Sequence, residues 1–331
     1  MRVTIKDIAN RVGVTAATVS MVINNNPKIS QKTRDLVLTA IKDMNYHPSY
    51  IGRSLVKGKT NNIAVVASFF ASLFALESVR GIEESLRNTP YNLILYSTRG
   101  IQENVREMLK RLYYERMADG IIVISLRMDK EMLQDFQKDG VPVVFLEEVT
   151  EGTATIKFNN IKGGYIATEH LIKNKRKKIG LIVGEEGLNA NERLKGYADA
   201  LNDYGIEYDE NKIVKVVNYS FEEGLDSLSK LIKQSPDIDS IFCAAGDVTA
   251  VGVLEQAKKL GIKIPKDISI IGYDDTYISN LTSPALTTIR QPIAKMGMRS
   301  FDVLMNMINK KEPNGSKVIS FDPELIIRES V

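Results

Sequence analysis

The first 60 residues of this chain differ sharply in charge from everything that follows them. They hold ten Lys and Arg against three Asp, a net charge of +7, whereas the whole 331-residue chain carries +3. Residues 61–331 therefore carry −4. A basic segment attracts a polyanion and an acidic one does not. The amino-terminal segment is thus expected to fold as a separate nucleic-acid-binding unit, and the length of the remainder predicts one or two further domains.

The basic segment has the pattern of three short helices around one small core. The apolar stripe of the first helix is Ile5, Ile8, Ala9 and Val12. Thr4 and Asp7 suit the start of this helix and Gly13 its end. A second helix is predicted from a cap at Thr15 to about Asn24, and Ser30 caps a third. The third helix is expected to close the core with Leu36, Val37, Ala40, Ile41 and Met44.

Two helices joined by a tight turn at Gly13 and braced by a third are typical of a helix-turn-helix. In the second helix Val19, Val22 and Ile23 lie on the core side. The face expected in the DNA major groove is Thr15, Ala16, Ala17, Ser20, Met21 and Asn24. A small helical domain with a solvated basic face is the alternative.

Short motifs then follow in a fixed order along the whole chain. Those of the basic segment are TIKDIA at 4–9, GVT at 13–15, SQKTR at 30–34, NYHP at 45–48 and RSL at 53–55. Those of the remainder include RLKGY at 193–197, IPKDISIIGYDD at 264–275 and LTTIRQP at 286–292. Together they resemble the lac repressor/galactose repressor (LacI/GalR) family of bacterial transcription regulators.

The resemblance implies a helix-turn-helix domain at 1–48, a hinge helix and linker at 49–60, and an effector-binding and dimerisation core at 61–331. Two hinge helices would pair across a dimer at Ile51, with Arg53 and Leu55 at the minor groove. Leu55 would act as an apolar wedge that kinks a pseudo-palindromic operator. Family members often read bases with polar or cationic side chains at the positions of Ala16, Ala17 and Met21. Here these residues are apolar, so thymine methyl contacts and groove shape are expected instead.

From residue 61 short apolar runs alternate with amphipathic helical segments. Strands are predicted at 63–67, 93–96, 121–124, 143–146, 179–183, 213–217, 241–243 and 268–272, and helices between most of them, such as 76–86, 105–112, 165–172 and 248–260. This alternation favours an α/β core of two doubly wound subdomains. The resemblance implies the fold of periplasmic binding proteins, with subdomains at about 61–158 plus 292–321 and 161–288 plus 323–331. Its crossovers would lie near 157–161, 288–292 and 320–323.

Taken without the resemblance, such a core suits an enzyme as well as a binding protein. The sequence has no phosphate-binding loop of the Walker type and no nucleophile elbow. His47 and His170 are its only histidines, and Cys243, its only cysteine, lies in an apolar run. No catalytic residue, metal or cofactor is therefore predicted, and a DNA-tethered enzyme is poorly supported. No run approaches the ~20 apolar residues that cross a bilayer, and a cytoplasmic location without membrane contact is expected.

The resemblance also implies a small effector in the cleft between the subdomains, where the carboxyl ends of strands meet. Arg193 and Asp274 are expected to order vicinal hydroxyls through charge-assisted hydrogen bonds. The remaining predicted effector residues are Phe74, Ser125, Tyr219, Phe221 and Asp247. Gly246 stands where the family usually has Asn before Asp247, and Asn159-Asn160 replaces a frequent Asp-containing pair. These departures favour a different or less hydroxylated effector than a simple hexose.

The chain is thus expected to be a homodimeric transcription repressor whose operator affinity is controlled by a small molecule, a sugar or a sugar derivative. The absence of a heptad-bearing tail after the last strand favours a dimer over a tetramer. Control by a protein partner such as a phosphocarrier is the alternative. The sequence leaves open whether the effector is an inducer or a corepressor.

Overall fold

The computed structural model describes residues 3–47, 58–70, 72–185, 187–311 and 317–331. Contacts divide the chain into two compact units, Met1–Asn61 and Asn62–Val331. The predicted hinge helix, with Ile51, Arg53 and Leu55, lies outside the described residues.

The first unit holds three helices, α1 (Ile5–Val12), α2 (Ala16–Ile23) and α3 (Gln31–Asp43). Their amino-terminal caps are Thr4, Thr15 and Ser30, each with its side chain accepting a hydrogen bond from the third backbone N–H of its helix. The buried core is Ile8, Ala9, Val19, Val22, Val37 and Ala40. Leu36 was expected in this core, but its side chain is 52% exposed. That prediction was wrong because the core side of α3 is centred on Val37 and Ala40, and Leu36 lies at its margin.

The second unit is built on two six-stranded sheets. The strands of the first sheet are β1 (Asn62–Ala67), β2 (Asn92–Ser97), β3 (Gly120–Ile124), β4 (Val143–Leu146), β5 (Ala154–Phe158) and β11 (Lys317–Phe321). Their order is β2-β1-β3-β4-β5-β11, and every neighbouring pair is parallel. The central strands β1, β3 and β4 are almost wholly buried, as expected of parallel strands covered on both faces.

The second sheet repeats this arrangement with one change at its edge. Its strands are β6 (Ile179–Gly184), β7 (Ile213–Val216), β8 (Ser240–Cys243), β9 (Ser269–Asp274), β10 (Thr287–Arg290) and β12 (Glu324–Ile326). They follow the order β7-β6-β8-β9-β10-β12, in which only the β10–β12 pair is antiparallel. The prediction of two doubly wound subdomains is confirmed.

Helices cover both faces of each sheet. They are α4 (Leu73–Leu86), α5 (Gln102–Tyr114), α6 (Lys130–Lys138), α7 (Asn160–Lys173), α8 (Leu188–Asp203), α9 (Phe221–Gln234), α10 (Asp247–Lys259) and α11 (Ile293–Ile308). On the first sheet α5 and α6 bury one face, and α4 and α11 the other. On the second sheet α7 and α8 cover one face, and α9 and α10 the other.

The chain passes between the sheets three times, after β5, after β10 and after β11. These places lie inside the three segments where crossovers were expected. Because α11 follows β10 but packs against the first sheet, and β12 follows β11 but pairs in the second, each subdomain contains segments that are distant in sequence. The carboxyl ends of the parallel strands then provide the polar side chains of the site described next.

Candidate functional site

The predicted DNA-reading face lies on α2. Val19 and Val22 are fully buried, whereas Ala17 and Asn24 are exposed and Ala16, Ser20 and Met21 are partly exposed. Thr15 is the helix cap, and its hydroxyl accepts from the N–H of Thr18 at 3.1 Å. The Asn24 side chain donates to the carbonyl of Ser20 at 2.9 Å. The apolar Ala17 and Met21 therefore lie on the accessible side of α2, as the helical periodicity predicts.

The carboxyl ends of the core strands adopt left-handed backbone conformations at residues other than glycine. Ser125 after β3 has a φ of +51°, Glu147 after β4 one of +73°, and Tyr219 beyond β7 one of +56°. Asp274 at the end of β9 has a φ of +105° and is followed by Asp275 at +53°. Such conformations each cost about 1–3 kcal/mol and cluster at ligand sites, where the surrounding structure holds them in place.

Arg193 of α8 is the centre of the polar cluster and is only 7% exposed. Its Nε donates to Oδ1 of Asn160 at 2.8 Å, and its Nη1 donates to the carbonyl of Ala244 at 2.7 Å. The guanidinium carbon lies 3.8 Å from the centroid of the Tyr273 ring. Desolvated cation–π contacts of this kind are worth on the order of 2 kcal/mol. The guanidinium group of Arg193 is therefore held by two hydrogen bonds and one cation–π contact.

The close approach of α7 and α8 brings Arg193 to Asn160. A Cβ at Gly196 would lie 2.0 Å from the carbonyl oxygen of Ile161, and one at Gly164 would lie 2.3 Å from that of Arg193. Only glycine at these two positions allows the helix backbones to come so near. The glycine of the RLKGY motif thus positions the arginine three residues before it.

Asn160 joins the two subdomains. Its Oδ1 also accepts from the hydroxyl of Tyr273 at 3.1 Å, while its Nδ2 donates to Oε2 of Glu147 at 3.3 Å and to Oδ1 of Asn189 at 3.2 Å. Glu147 directly follows β4 of the first sheet, whereas Tyr273 and Asn189 belong to the second subdomain. Asn160 has no exposed surface, so its hydrogen bonds form inside the junction between the subdomains.

Asp274 lies beside this cluster, and burial raises the pKa of its carboxyl group to about 6, against the opposing effects of Arg193 and of a hydrogen bond from Gln291. Gln291 donates from Nε2 to Oδ1 of Asp274 at 2.6 Å. A Cβ at Gly246, whose φ is +106°, would lie 2.9 Å from Oδ2 of Asp274. The side chain that the family usually has at position 246 would therefore collide with the carboxylate of Asp274 as it lies here.

Asp247, another predicted effector residue, has no exposed surface. Its Oδ2 accepts from the N–H and hydroxyl of Thr276 at 2.7 and 3.1 Å, and its Oδ1 accepts from the hydroxyl of Thr288 at 2.7 Å. Burial and the neighbouring Asp274 raise the pKa of Asp247 well above its usual value. In this arrangement Asp247 orders the turn that follows Asp274, and its predicted contact with an effector stays a prediction.

The aromatic candidates occupy different places. The Tyr219 hydroxyl lies against Gly184, where an added Cβ would meet it at 1.9 Å, and its ring is 40% exposed near Arg193. Phe221, the first residue of α9, lines an apolar groove of about 280 Å³. Phe74 near the start of α4 is partly buried, and Ser125 at the end of β3 is exposed. The structure thus brings Arg193, Asp274 and Tyr219 together, with Asp247 beside Asp274.

Four further polar groups of this region were not identified as site residues from the sequence: Lys157, Glu192, Glu147 and Gln291. Lys157 of β5 donates to Oε1 of Glu192 of α8 at 2.7 Å, an ion pair between the two subdomains. Burial raises the pKa of Glu147 to about 7, while Arg193 and Asn160 act to lower it. The sequence holds one signal for Glu147, because a charged residue directly after a wholly apolar strand lies at the carboxyl edge of the sheet.

Three other features bear on the choice of function. Within the described ranges, no group of three or more His, Cys, Asp and Glu side chains could hold a metal ion. Cys243 has no exposed surface, and burial raises the pKa of its thiol. In the same part of the chain, no helix combines the length and apolar character that a membrane span requires.

Two family models match the chain. Residues 4–49 match the model described as bacterial regulatory proteins, lacI family. Residues 168–331 match the periplasmic binding protein-like domain.

Similar proteins span the whole chain. The HTH-type transcriptional repressor PurR of Photobacterium profundum is 34% identical over 99% of this chain and 98% of its own length. The PurR of Pasteurella multocida is 33% identical with the same coverage. A lac repressor dimer bound to operator and the anti-inducer ONPF has a TM-score of 0.84 and 25% identity, covering 100% of this chain and 99% of that one. A complex of the transcriptional regulator CelR with cellobiose has a TM-score of 0.75 and 28% identity, covering 100% of both chains.

Proposed function

Because the chain belongs to the lacI family of DNA-binding transcriptional repressors, we propose that a small polyhydroxylated molecule, a sugar or a sugar derivative, controls its operator affinity from the cleft. The observation that carries the proposal is the cluster of the buried Arg193 and Asn160 with the partly buried Asp274 at the carboxyl ends of the strands. The cellobiose in the CelR complex supports a sugar as the effector, and the anti-inducer ONPF in the lac repressor complex supports control by a small molecule.

The cluster combines hydrogen-bond donors and acceptors in a small space. Arg193 supplies guanidinium donors, and Asp274 supplies carboxylate acceptors. Oε1 of Gln291 is buried and has no partner among the described residues. Sugar hydroxyls both donate and accept, so one polyol can satisfy all three groups. The half-exposed ring of Tyr219 offers an apolar surface against which a sugar face can stack.

Control of DNA binding requires that the ligand act on both subdomains. Asn160 already links Glu147 of the first subdomain to Arg193 and Tyr273 of the second. A ligand bound to Arg193 and Asp274 changes the balance between open and closed cleft arrangements. Through the dimer, that change would alter how the hinge residues Ile51 and Leu55 pair in the minor groove. Such coupling amounts to about 1–3 kcal/mol and is reciprocal between ligand and operator.

The test is a screen of the full chain against neutral mono- and disaccharides by thermal unfolding. Each stabilising sugar is then added to operator titrations followed by fluorescence anisotropy. At least one sugar is expected to raise the melting temperature and to change the operator Kd by roughly 5–150-fold. The direction of the change distinguishes an inducer from a corepressor. Sugars that stabilise the protein and leave the operator Kd unchanged would contradict the proposal.

We further propose that the repressor is a homodimer, because a pseudo-palindromic operator has two half-sites and binds two identical helix-turn-helix domains. The supporting feature is the apolar groove, which lies between α10 and the segment after β9. It is lined by Phe221, Val248, Val251, Ile278, Leu281 and Thr282. Leu281 is 75% exposed and the adjoining Tyr277 is 64% exposed. Apolar side chains grouped at the surface mark an interaction site, and a second copy of the chain can cover them through a twofold axis.

Leu281→Asp is expected to convert the dimer into a monomer, because a carboxylate in the covered groove loses its hydration without gaining a partner. Loss of the second helix-turn-helix domain is expected to weaken operator binding by about 100-fold or more. Sedimentation velocity measures the first effect and operator titration the second. Leu260→Asp is the matched control, since Leu260 is 50% exposed but lies at the other end of α10. A Leu281→Asp protein that remains dimeric would exclude this interface.

Met21→Arg is expected to change the operator sequence that the repressor prefers. A guanidinium on the accessible side of α2 can bind guanine O6 and N7, and one such contact discriminates by about 1–3 kcal/mol. Selection from random duplexes at fixed salt measures the preference. Leu38→Arg adds the same charge at a 47% exposed position of α3 and should strengthen binding without changing the selected sequence. If the Met21→Arg variant prefers the same operator sequence as the natural protein, Met21 does not lie on the face of α2 that contacts the bases.

Control by a phosphocarrier protein, the alternative from the sequence, has no observation in its favour among the described residues. We therefore do not propose it.

A further inference from the structure

Two carboxylates from different subdomains each keep one oxygen without a hydrogen-bond partner among the described residues. Glu147, directly after β4, is 2% exposed, and its Oε2 accepts from Asn160 while its Oε1 is buried and unpaired. Glu192 of α8 accepts from Lys157 through Oε1, and its Oε2 is likewise buried and unpaired. The backbone N–H of Glu147 donates to the carbonyl of Ile156 at 2.8 Å, which places Glu147 beside Lys157, the ion-pair partner of Glu192. The charge of Glu192 also acts to raise the pKa of Glu147.

The charges of this region do not balance. Glu147, Glu192 and Asp274 carry three potential negative charges, whereas Arg193 and Lys157 carry two positive ones. The buried Asp247 beside Asp274 adds a further acid. An uncompensated buried charge is strongly unfavourable, and a second anion would add to it. A ligand that carries a phosphate or a carboxylate is therefore a poor fit beside Glu147.

The unpaired atoms specify the chemistry that would satisfy them. A carboxylate oxygen only accepts hydrogen bonds when ionised, so both atoms need donors. A ligand hydroxyl offers one donor and no charge, whereas a protonated amine offers three donors and one positive charge. An ammonium group can donate to both carboxylates at once, and such charge-assisted hydrogen bonds are about twice as strong as neutral ones.

We infer that Glu147 and Glu192 form an amine subsite of the cleft, in which the ammonium group of an amino sugar or a similar amino polyol donates to both carboxylates. This inference rests on the proposed function, because it names the class of effector that the cleft takes. Burial supports it by raising the pKa of Glu147 to about 7, the behaviour of a carboxylate that lacks a sufficient counter-charge.

The subsite also gives the ligand a means of control. Glu147 lies in the first subdomain and Glu192 in the second, and like charges at this junction repel. An ammonium group between them replaces repulsion by attraction and thereby stabilises the arrangement in which the subdomains are close. A neutral sugar of the same shape makes the other contacts without this contribution, so it should bind more weakly and change the operator Kd less.

The experiment compares matched ligand pairs on the full chain at about pH 7.5, where Glu147 is largely ionised and a primary amine remains largely protonated. Isothermal titration calorimetry is performed with glucosamine and glucose, with galactosamine and galactose, and with glucose 6-phosphate. At least one amino sugar is expected to bind about tenfold or more tightly than its neutral partner. The phosphate ester is expected to bind more weakly than glucose. Equal or weaker binding of both amino sugars overturns the amine subsite.

Three variants test whether the preference for amino sugars over neutral sugars arises at Glu147 and Glu192. Glu147→Gln and Glu192→Gln each keep the shape and remove one charge, and each is expected to reduce the preference for the amine about tenfold. Glu148→Gln is the matched control, because it removes a charge one residue away whose partner is the exposed Arg127. An amine preference that survives in both of the first two variants overturns the assignment. Circular dichroism and the oligomeric state verify that each variant is folded.

The outcomes separate this inference from the proposed function. If a neutral sugar binds and changes the operator Kd while neither amine gains over it, the amine subsite is overturned and the proposed function stands. If neither the screened neutral sugars nor the amines bind, both are overturned. If the amines bind more tightly and leave the operator Kd unchanged, the subsite stands and sugar control of DNA binding does not.

Discussion

Arg193→Ala is expected to lower the free energy of unfolding of the core by about 3–5 kcal/mol and to abolish the effect of any cleft ligand on operator binding. Arg193 is 7% exposed, and its charge acts on both Glu147 and Asp274. Its removal leaves those carboxylates buried without this counter-charge. It also removes the donors that reach Oδ1 of Asn160 and the carbonyl of Ala244.

Urea unfolding followed by tyrosine fluorescence measures the loss of stability, since the chain has 13 Tyr and no Trp, and eleven of the tyrosines lie beyond residue 61. Arg193→Lys keeps the charge but loses the planar fork, so an intermediate loss is expected. Arg127→Ala is the control, because this exposed arginine pairs with Glu148 at the surface, where such pairs contribute about 0–1 kcal/mol. If Arg193→Ala is as stable as Arg127→Ala, the cluster does not hold the junction together.

Most of the fold could be predicted because buried parallel strands are continuous apolar runs. Strands β1, β3, β4 and β6 fall where the sequence predicts them. The strands without such a signal are β5, β10, β11 and β12. β11 reads KVISF and is largely exposed at the sheet edge, so its sequence has no apolar run. Its place is set by pairing with β5, more than 150 residues earlier, which no local pattern encodes.

The site could be predicted only in part for a related reason. The resemblance points to Arg193 and Asp274 individually, and both lie in the polar cluster. The partner that joins them to the first subdomain, Asn160, depends on contacts across 33 residues to Arg193 and 113 residues to Tyr273. The Lys157–Glu192 ion pair depends in the same way on how the sheets meet. Such contacts arise from the tertiary arrangement, and no periodic pattern in the sequence predicts them.

The buried carboxylate of Glu147 leads to a second large effect, a change in how stability depends on pH. Its pKa is raised by burial to about 7, above the value of an unfolded chain. Between about pH 4.5 and pH 7 the folded state holds a proton that the unfolded state has lost. Stability from this group is therefore present at low pH and falls as the pH rises through that interval.

Glu147→Gln removes the ionisable carboxyl group and keeps the shape of the side chain. The variant is expected to gain stability over the natural protein as the pH rises, by about 3 kcal/mol between about pH 4.5 and pH 8. Urea unfolding at several pH values, without ligand, measures the difference. Glu148→Gln is the matched control, because it removes the adjacent carboxylate, whose ion-pair partner Arg127 is exposed. Parallel curves for Glu147→Gln and the natural protein would mean that Glu147 is already neutralised within the fold, and a ligand ammonium group would then find no unmatched charge there.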